Sequence, residues 1–410
     1  MPASSPPPIP MLDFSRQYAG LRQELLDAIA QACDSQHFIL GPIVETFEIA
    51  AAQATASTHA IGCASGTDAL WLALAAAGIG DSTFATHASS RPDAVITTPF
   101  TFFATASSIL RAGARPLFAD IDPRTFNLCP AAVAELLRTS AAADVRAILP
   151  VHLYGQCADW DAFESLIQSH PNIALIEDAA QAFGALWSSP GKPNRAAGSL
   201  GLAAAFSFYP TKNLAAMGDA GLVTTSDAAV ATRLQSIRAH GSTRRYYHDE
   251  VGWNSRLDAI QAAILTVKLG HLPQWNQQRR TLAARYDRLF REAKLAPTSQ
   301  PSSTAVATIQ DGIVLPYTDP RATPVFHQYV IRAPRRDALR AHLTAHNIGS
   351  EIYYPVPLHL QAVLKDLGYK PGDFPQAERA AAEVLALPLY PELREDEQQR
   401  IVQTIRTFYA

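Results

Sequence analysis

The sequence has few cysteines, no long apolar segment and no run of basic residues. Its four cysteines stand far apart in 410 residues and form no Cys-x-x-Cys pair. This spacing argues against a zinc site and favours reduced thiols, as in a cytoplasmic protein. No apolar stretch is long enough to cross a bilayer, and no basic segment precedes an apolar one at the start. We therefore expect a cytoplasmic protein without a metal site or a membrane partner.

Composition and charge are ordinary for a globular protein. The chain is 48% hydrophobic and 17% charged, with a formal net charge of -3 at pH 7. These values disfavour fibrous, disordered and disulfide-dense classes. Because no basic patch stands out, nucleic acid is not an expected partner. The proline-rich start, residues 1–10, is expected to be a disordered tail.

Short apolar segments alternate with helical patterns through the first part of the chain. The segments expected as buried strands are residues 94–100, 146–153, 173–179 and 203–210. Their alternation with helical patterns predicts an α/β protein with a mostly parallel central sheet flanked by helices. Two polar segments, residues 80–93 and 187–198, interrupt this pattern and are expected as surface loops.

The pattern changes after Trp253. Helices are expected over residues 256–270 and 275–293, and a strand over residues 327–334. We therefore predict a large domain over residues 11–270 and a smaller C-terminal α/β domain over residues 271–410.

Chemical groups stand at three junctions between expected elements, where ligands of parallel sheets bind. Ser65 to Asp68 precede a helical pattern and suit a phosphate, although a plain helix cap is the alternative. Glu177 and Asp178 end an apolar segment, where a buried carboxylate needs a cation unless the strand end is solvated. Lys212 follows the aromatic segment FSFYP, and its alternative is a surface lysine whose stem covers its neighbours.

Together these junctions fit one cofactor, pyridoxal phosphate. This cofactor needs an amine for its aldehyde, an anion for its ring nitrogen, a phosphate site and an aromatic face above the ring. Lys212, Asp178, the turn from Ser65 to Asp68 and Phe102 can supply these four groups.

Six motifs carry a resemblance to a known family. They are SGTDALWLAL, ITTPFTFFAT, PVHLYGQ, IEDAAQAFGA, SFYPTKNL and NSRLDAIQAAIL. In this order they resemble the DegT/DnrJ/EryC1/StrS family of sugar aminotransferases, from about Phe14 to Tyr390. The resemblance implies the aspartate-aminotransferase fold, which is fold type I of pyridoxal-phosphate enzymes. It also implies a homodimer with active sites shared between subunits.

The resemblance assigns roles to residues around the cofactor ring. It implies that Lys212 forms the Schiff base with pyridoxal phosphate and moves the proton during catalysis. Asp178 matches the partner of the ring nitrogen, with Glu177 as the alternative carboxylate. Gln181 matches the residue that reaches the ring hydroxyl. Phe102 matches the aromatic residue stacked on the ring, and Phe103 is its alternative.

The resemblance also assigns residues to the cofactor phosphate. Gly66, Thr67 and Ser207 match positions that hold it within the subunit. Asn254 matches a phosphate ligand donated by the neighbouring subunit, and a cap on a helix beginning at Ser255 or Arg256 is the alternative.

Substrate residues and substrates follow from the same resemblance. Arg256 matches a residue near the nucleotide sugar, with a helix N-terminal arginine in an intrachain salt bridge as the alternative. Tyr353 and Tyr354 belong to the loop that faces the substrate. The amino donor is expected to be L-glutamate, which leaves pyridoxamine phosphate on the enzyme as an intermediate.

The expected acceptor is a nucleotide-linked ketosugar. NSRLDAIQAAIL is more similar to members that act on carbon 3 than to carbon-4 enzymes. Members that use a glucuronate-type sugar carry His before the Tyr-Pro of the small-domain loop, where this chain has Tyr353. This favours a dTDP-linked 6-deoxy-3-ketosugar over a UDP-linked uronate, and a UDP-linked 3-ketosugar or a carbon-4 ketosugar is the alternative.

Three other functions are open alternatives. One branch of the family carries His in place of the lysine and catalyses a dehydration, which Lys212 disfavours. A cysteine desulfurase would need a reactive cysteine in a mobile loop, and none of the four cysteines stands in one. A non-catalytic regulatory protein is the alternative from a different class, and no helix-turn-helix or basic patch supports it.

Overall fold

The structure is a computed structural model that describes residues 7–80, 92–297, 309 and 312–410. Residues 81–91 of the expected loop 80–93 lie outside these ranges. The helices within the described ranges are α1 (Phe14–Asp34), α2 (Pro42–Ala54), α3 (Gly66–Ala76), α4 (Ala104–Arg111), α5 (Pro130–Leu137), α6 (Trp160–Gln168), α7 (Ala228–Ile237), α8 (Ala259–Glu292), α9 (Arg336–Ala345), α10 (Pro375–Glu383) and α11 (Glu395–Tyr409).

The strands are shorter and follow the order of the sequence. They are β1 (His59–Cys63), β2 (Ala94–Thr97), β3 (Arg115–Phe118), β4 (Val145–Ile148), β5 (Ala174–Asp178), β6 (Leu186–Trp187), β7 (Arg195–Ala196), β8 (Ala203–Ser207), β9 (Gly221–Thr225), β10 (Ser242–Arg244), β11 (Tyr247–His248), β12 (Ala322–Thr323), β13 (Tyr329–Arg332) and β14 (Val384–Leu387).

A seven-stranded sheet forms the centre of the fold, in the order β1-β9-β8-β5-β4-β2-β3. The pairs from β8 through to β3 are parallel. Strand β9 is antiparallel to both β1 and β8, so β1 runs in the same direction as β8. The predicted mostly parallel sheet is therefore confirmed. Six of its seven strands end at the same edge.

Two apolar cores cover the faces of this sheet. One face packs against α1, α2, α6 and the first part of α8 through residues such as Leu25, Phe47 and Leu265. The other face packs against α3 and α7 through residues such as Leu70 and Leu234. Because both faces are covered, the strands can be continuously apolar, as β2 and β8 are.

Helix α8 connects this core with a second one. The two helices expected over residues 256–270 and 275–293 are in fact one helix, which continues through Pro273. Its first half packs into the core beside the large sheet, and its second half packs with β13, β14, α9 and α11. Burial on two cores offsets the backbone hydrogen bond that proline removes. The predicted domain boundary between residues 270 and 271 lies within this helix.

Part of the tail that we expected to be disordered packs against the C-terminal part of the chain, and residues 1–6 lie outside the described ranges. Residues 7–10 are described, and Ile9 is 2% exposed. Its N–H donates to the carbonyl of Asn347, and the N–H of Gly349 donates to its carbonyl. The proline-rich composition therefore did not reveal that an apolar side chain near its end packs into the C-terminal core.

The segment 187–198 contains a hairpin. Strands β6 and β7 pair within it, and residues 190–194 between them are exposed. The expected surface loop is therefore confirmed at its tip, while Trp187 at its base is buried. In the described part of the chain, no helix is both long and apolar enough to span a membrane.

Candidate active site

The functional groups predicted from the sequence meet at one edge of the central sheet. Strand β5 ends at Asp178, β8 ends at Ser207, and β1 leads through Ser65 into α3. Because these strands run in the same direction, their carboxyl ends lie side by side, which is where α/β sheets bind ligands. The segment with Lys212 follows β8 at the same edge.

Lys212 is partly buried in a turn between β8 and β9. Its N–H donates to the carbonyl of Tyr209 at 2.8 Å, and the N–H of Ala216 donates to the carbonyl of Phe208 at 2.8 Å. Burial lowers the pKa of Lys212 to about 8, and the carboxylate of Asp178 acts in the opposite direction. This burial disfavours the surface-lysine alternative.

One face of α8 fixes the turn that carries Lys212. Gln261 exchanges hydrogen bonds with the backbone N–H and carbonyl of Met217, at 2.8 and 3.3 Å. Lys268 donates to the carbonyl of Ala215 at 2.9 Å. Lys268 follows Gln261 by seven residues, and Asn276 follows Lys268 by eight. Each spacing is about two helical turns, so the three side chains lie on the same face of α8.

Asn276 holds the turn through the residue next to Lys212. The side-chain amide of Asn213 donates to Asn276 Oδ1 and to the carbonyl of Val325, both at 3.0 Å. Asn213 Oδ1 is therefore the acceptor in its 3.2 Å contact with Nδ1 of His327, and the proton lies on that nitrogen. Burial and the nearby Lys212 lower the pKa of His327 well below its ordinary value. His327 is therefore a neutral neighbour of the amine.

Asp178 is buried at the end of β5, 4% exposed. The hydroxyl of Thr105 donates to its Oδ2 at 2.7 Å, and the N–H of Ala180 donates to Oδ1 at 3.3 Å. Burial raises the pKa of Asp178, while these hydrogen bonds and the charge of Lys212 act to lower it. The solvated-strand-end alternative is therefore wrong for this carboxylate.

Glu177 lies on the opposite side of β5, where both oxygens of its carboxylate have hydrogen-bond partners. Its carboxylate accepts from the N–H groups of Gly198, Leu200 and Gly201 at 2.8 to 2.9 Å. His152 accepts from the N–H of Ala158 through Nδ1, so its Nε2 donates to Glu177 at 3.0 Å. Because alternate residues of a strand face opposite sides, Glu177 cannot replace Asp178 at the site.

The turns after β1 and β8 touch each other. A Cβ on Gly66 would lie 2.4 Å from Cβ of Ser207, so only glycine fits there. Ser65 caps α3 by accepting from the N–H of Asp68 at 3.1 Å, as the helix-cap alternative stated. The cap leaves the N–H groups of Gly66 and Thr67 at the helix start beside Ser207, so capping and anion binding are compatible.

Gln181 joins the large sheet to the C-terminal part of the chain. Its Oε1 accepts from the N–H of Tyr154 at 2.6 Å, and its Nε2 donates to the hydroxyl of Tyr354 at 2.7 Å. One N–H of the amide remains for a ligand. The ring of Tyr354 packs edge-on against Phe100 at 5.6 Å and lies 6.2 Å from the ring of Tyr353. The structure therefore brings both tyrosines to the same side of the site.

The phenylalanines expected above the cofactor ring are open to solvent. Phe102 is 62% exposed and Phe103 37% exposed, in the turn between β2 and α4. The carbonyl of Phe102 accepts from the N–H of Thr105, the residue that contacts Asp178. This turn is thereby linked to the site, and stacking on a cofactor remains a prediction.

Asn254 and Arg256 precede α8 but do not belong to it. The helix begins at Ala259 after Asp258, so Asn254 does not cap it and that alternative is wrong. Asn254 is exposed, whereas the neighbouring Ser255 is buried and donates to Asp68 Oδ2 at 2.9 Å. Asn254 forms an isolated antiparallel bridge with Ala239.

The alternative given for Arg256, a helix N-terminal arginine in an intrachain salt bridge, is also wrong. Arg256 stands before the first residue of α8, and no ion pair to it occurs within the described ranges. Its Nε is buried without a hydrogen-bond partner in those ranges. An unpartnered donor of this kind is costly unless a ligand meets it.

The cysteines provide no nucleophile at this edge. Cys63 and Cys157 are buried, and burial raises the pKa of both thiols. A thiol with a raised pKa is a poor nucleophile, so these two cysteines do not suit a cysteine desulfurase.

The arrangement fits pyridoxal phosphate. Lys212 offers an amine that is partly neutral near physiological pH, and Asp178 offers a carboxylate beside it. The contact between Gly66 and Ser207 leaves a turn of backbone N–H groups and a hydroxyl for a phosphate. The same edge therefore presents an amine, an anion and an anion-binding turn.

Comparison with known proteins agrees with this fit. The model of the DegT/DnrJ/EryC1/StrS aminotransferase family matches residues 20–406. The chain is 46% identical over 401 residues to a protein named pleiotropic regulatory protein from Geobacillus stearothermophilus, with 98% of each chain covered. It is 39% identical over 398 residues to UDP-N-acetyl-3-dehydro-alpha-D-glucosamine 3-aminotransferase from Acidithiobacillus ferrooxidans, with 97% of each covered.

Two further comparisons involve Streptomyces venezuelae. The chain is 38% identical over 400 residues to dTDP-3-amino-3,4,6-trideoxy-alpha-D-glucose transaminase of that organism, covering 98% of this chain and 96% of that one. A crystal structure of S. venezuelae DesV with a ketimine intermediate has a TM-score of 0.87 at 38% identity, covering 98% of this chain and 99% of that one. The predicted aminotransferase fold is confirmed, and the chain belongs to the DegT/DnrJ/EryC1/StrS family of pyridoxal-phosphate-dependent aminotransferases.

Proposed function

We propose that the protein transfers an amino group from L-glutamate to carbon 3 of a nucleotide-linked ketosugar in aminosugar biosynthesis. The observation that carries the proposal is the pairing of Lys212 and Asp178 at the carboxyl edge of the sheet. Burial lowers the pKa of Lys212, as a Schiff-base lysine requires, and the hydrogen bond from Thr105 and the charge of Lys212 oppose the effect of burial on the pKa of Asp178, which must stay ionised. Such an arrangement costs folding free energy, which a structural role alone does not explain.

Lys212 is the proposed proton-transfer residue. When bound, pyridoxal phosphate supplies an aldehyde that condenses with amines and a ring that accepts electrons from the neighbouring carbon. Lys212 Nζ would hold the cofactor. Once freed by the amino donor, the same amine would move the proton of the donor's α carbon. A lysine with a pKa of about 8 suits both steps, because it exchanges protons near neutral pH.

Asp178 and Gln181 are the proposed partners of the ring edge. An ionised Asp178 favours a proton on the ring nitrogen, because the two opposite charges stabilise each other in a buried site. Gln181 has one amide N–H left to donate to the ring hydroxyl. Phe102 is proposed to cover one ring face, and its open position at the turn before α4 leaves room for this contact.

The start of α3 is the proposed phosphate site. Gly66 and Thr67 begin the helix, where free N–H groups and the helix dipole favour an anion. Ser207 adds a hydroxyl from the end of β8. Residues from the start of α3 and from the end of β8 therefore converge on the proposed phosphate site.

The acceptor we favour is a dTDP-linked 6-deoxy-3-ketohexose. Tyr353 in place of histidine supports this choice over a glucuronate-type sugar, and a dTDP-3-aminosugar transaminase is among the relatives. A relative that acts on a UDP-linked 3-ketosugar keeps that nucleotide as the second candidate, with a carbon-4 ketosugar as the third. Arg256, with its buried unpartnered Nε, and the pair Tyr353 and Tyr354 are the proposed substrate contacts.

Running the reaction backwards identifies the acceptor. The protein would be incubated with pyridoxal phosphate, 2-oxoglutarate and one aminosugar at a time from a panel of dTDP- and UDP-linked 3- and 4-aminosugars. Consumption of a dTDP-3-aminosugar with formation of glutamate supports the proposal. Preferred consumption of a UDP-linked or 4-amino sugar would replace the favoured acceptor while leaving the reaction type in place.

We further propose a cytoplasmic homodimer in which Asn254 completes the phosphate site of the neighbouring subunit. The support is its exposed position next to Ser255, which contacts Asp68 at the start of α3. Mixed dimers of a Lys212→Ala chain and an Asn254→Asp chain test this arrangement. If Asn254 acts across the interface, both defects fall on one site and about half the activity per dimer returns. No recovery after verified subunit exchange would assign Asn254 to its own chain.

A regulatory role has one observation in its favour, the name of the Geobacillus relative. The two functions differ in their response to glutamate. An aminotransferase loses the visible absorption of bound pyridoxal phosphate when glutamate is added, because the amino group passes to the cofactor. A purely regulatory protein keeps its spectrum.

A further inference from the structure

A buried chain of hydroxyl groups leads to Asp178. Thr105, in the first turn of α4 and 1% exposed, donates to Asp178 Oδ2 at 2.7 Å. Behind it, the hydroxyl of Thr101 lies 3.1 Å from that of Thr105. Both threonines belong to the segment TFFAT, and neither has a role in the mechanism above.

The number of available protons fixes the direction of the hydrogen bonds between these hydroxyl groups and Asp178. An ionised carboxylate only accepts hydrogen bonds, so Thr105 must use its single proton on Asp178. Thr101 must then donate to Thr105. If Asp178 carried a proton on Oδ2, the carboxyl group would donate to Thr105, and Thr105 would donate to Thr101. When Asp178 is charged, the Thr105 hydroxyl is therefore the donor at Oδ2.

The energetic situation of Asp178 makes this donor important. Burial raises the pKa of the carboxyl group, and the hydrogen bond from Thr105 is the largest of the effects that lower it, ahead of the charge of Lys212. Hydrogen bonds to charged groups are stronger than those between neutral groups. The backbone N–H of Thr105 also donates to the carbonyl of Phe102 at 3.2 Å. One residue thus joins the carboxylate to the turn that carries Phe102.

We propose that Thr105, supported by Thr101, is a positioning residue that keeps the Asp178 carboxylate charged and oriented towards the ring nitrogen of the cofactor. The inference rests on the proposed function, because it takes Asp178 as the partner of that nitrogen. Thr105 acts through Asp178 and touches neither cofactor nor substrate in this account.

The test compares matched threonine variants in the cofactor-bound protein without substrate. Thr105→Val keeps the side-chain shape and removes the hydroxyl, and Thr105→Ser restores it. Thr97→Val is the control, because Thr97 is also buried and its hydroxyl donates at 2.8 Å, but to the carbonyl of Leu149. The readouts are the dissociation constant for pyridoxal phosphate and the absorption spectrum of the bound cofactor.

We expect Thr105→Val to weaken cofactor binding about tenfold, the worth of one hydrogen bond to a charged group. Its spectrum should shift towards that of Asp178→Asn. Thr105→Ser should restore both properties, and Thr97→Val should match wild type. Thr101→Val leaves every Asp178 contact in place and should weaken binding about threefold, so it provides a second test if Thr105→Val does not fold.

Two different failures can be told apart. If Asp178→Asn changes the spectrum but Thr105→Val and Thr101→Val match wild type, the proposed function stands and the positioning role is wrong. If Thr97→Val changes binding as much as Thr105→Val, the effect is one of stability and the positioning role is also wrong. If wild type shows no bound-cofactor band, the proposed function fails and this inference fails with it.

Discussion

The cofactor-free protein should contain an unusually reactive lysine at the active site, in addition to Lys268, whose pKa burial also lowers to about 8. Burial lowers the pKa of Lys212 to about 8. At a pH of about 7.5, about a quarter of such amines are neutral, against about one in a thousand for an ordinary lysine. Only the neutral amine attacks a carbonyl or an acylating reagent. Lys212 should therefore react about two hundred times faster than an exposed lysine at that pH, before any effect of access.

The assay is competitive labelling of the cofactor-free protein with a trace of an amine reagent, followed by peptide mapping across a range of pH. The sign follows from the lowered pKa, so labelling of Lys212 should rise with pH and level off above about 8. Lys192 provides the internal control, because its side chain is 58% exposed. Its labelling reports how fast the reagent modifies an exposed amine under the same conditions.

Asp178 supplies the perturbation. Its carboxylate acts to raise the pKa of Lys212, so Asp178→Asn should move the labelling midpoint of Lys212 to lower pH. Labelling of Lys212 that does not level off above a pH of about 8, or a midpoint unaffected by Asp178→Asn, would refute the account of the buried amine.

Three further predictions follow from the site. Asp178→Asn should slow turnover at least about a hundredfold with cofactor still bound, since each 1.4 kcal/mol on the barrier is about tenfold in rate. A near-normal steady-state rate would show that another residue supplies the negative charge. Gly66→Ala should weaken cofactor binding at least about tenfold, because its Cβ would lie 2.4 Å from that of Ser207. Gly270→Ala, with no atom within 4 Å of its Cβ, is the control, and equal titration curves would contradict the crowding. Asn213→Ala should lower the free energy of unfolding by about 1–3 kcal/mol and slow labelling of Lys212, because it leaves buried partners unsatisfied; an unchanged denaturation midpoint would contradict this.

The central sheet was predictable because its signal is local. The expected strand over 203–210 contains β8, and the segment over 173–179 contains β5. Both are buried on two faces and therefore read as continuous apolar runs. Their ends place Asp178 and the Lys212 turn at one edge, so the main chemical groups follow from the order of elements alone.

Contacts between distant parts of the chain were not predictable in the same way. Helix α8 continues through Pro273 because two cores bury it, and no local signal reports that packing. For the same reason the role of Asn213, which follows Lys212 in SFYPTKNL, was not predictable from the sequence. Its partners Asn276 and Val325 lie far along the chain. Only three-dimensional proximity reveals that these residues support the lysine.

The alternatives for individual residues were decided by helix boundaries and by strand alternation. Asn254 was a candidate helix cap because asparagine suits that position, but tertiary contacts delay the start of α8 to Ala259. Glu177 and Asp178 are adjacent carboxylates that composition cannot separate. Their opposite faces on β5 separate them, because Glu177 meets three backbone N–H groups and Asp178 meets Thr105.

The most direct test of the central claim is to trap the cofactor on its lysine. The protein would be loaded with pyridoxal phosphate, reduced with borohydride and mapped by peptide mass spectrometry, with and without prior addition of L-glutamate. The account predicts one labelled residue, Lys212, and loss of that label after glutamate has converted the cofactor. Stable labelling of Lys268 or Lys192 in place of Lys212, or labelling of Lys212 that glutamate leaves unchanged, would contradict it.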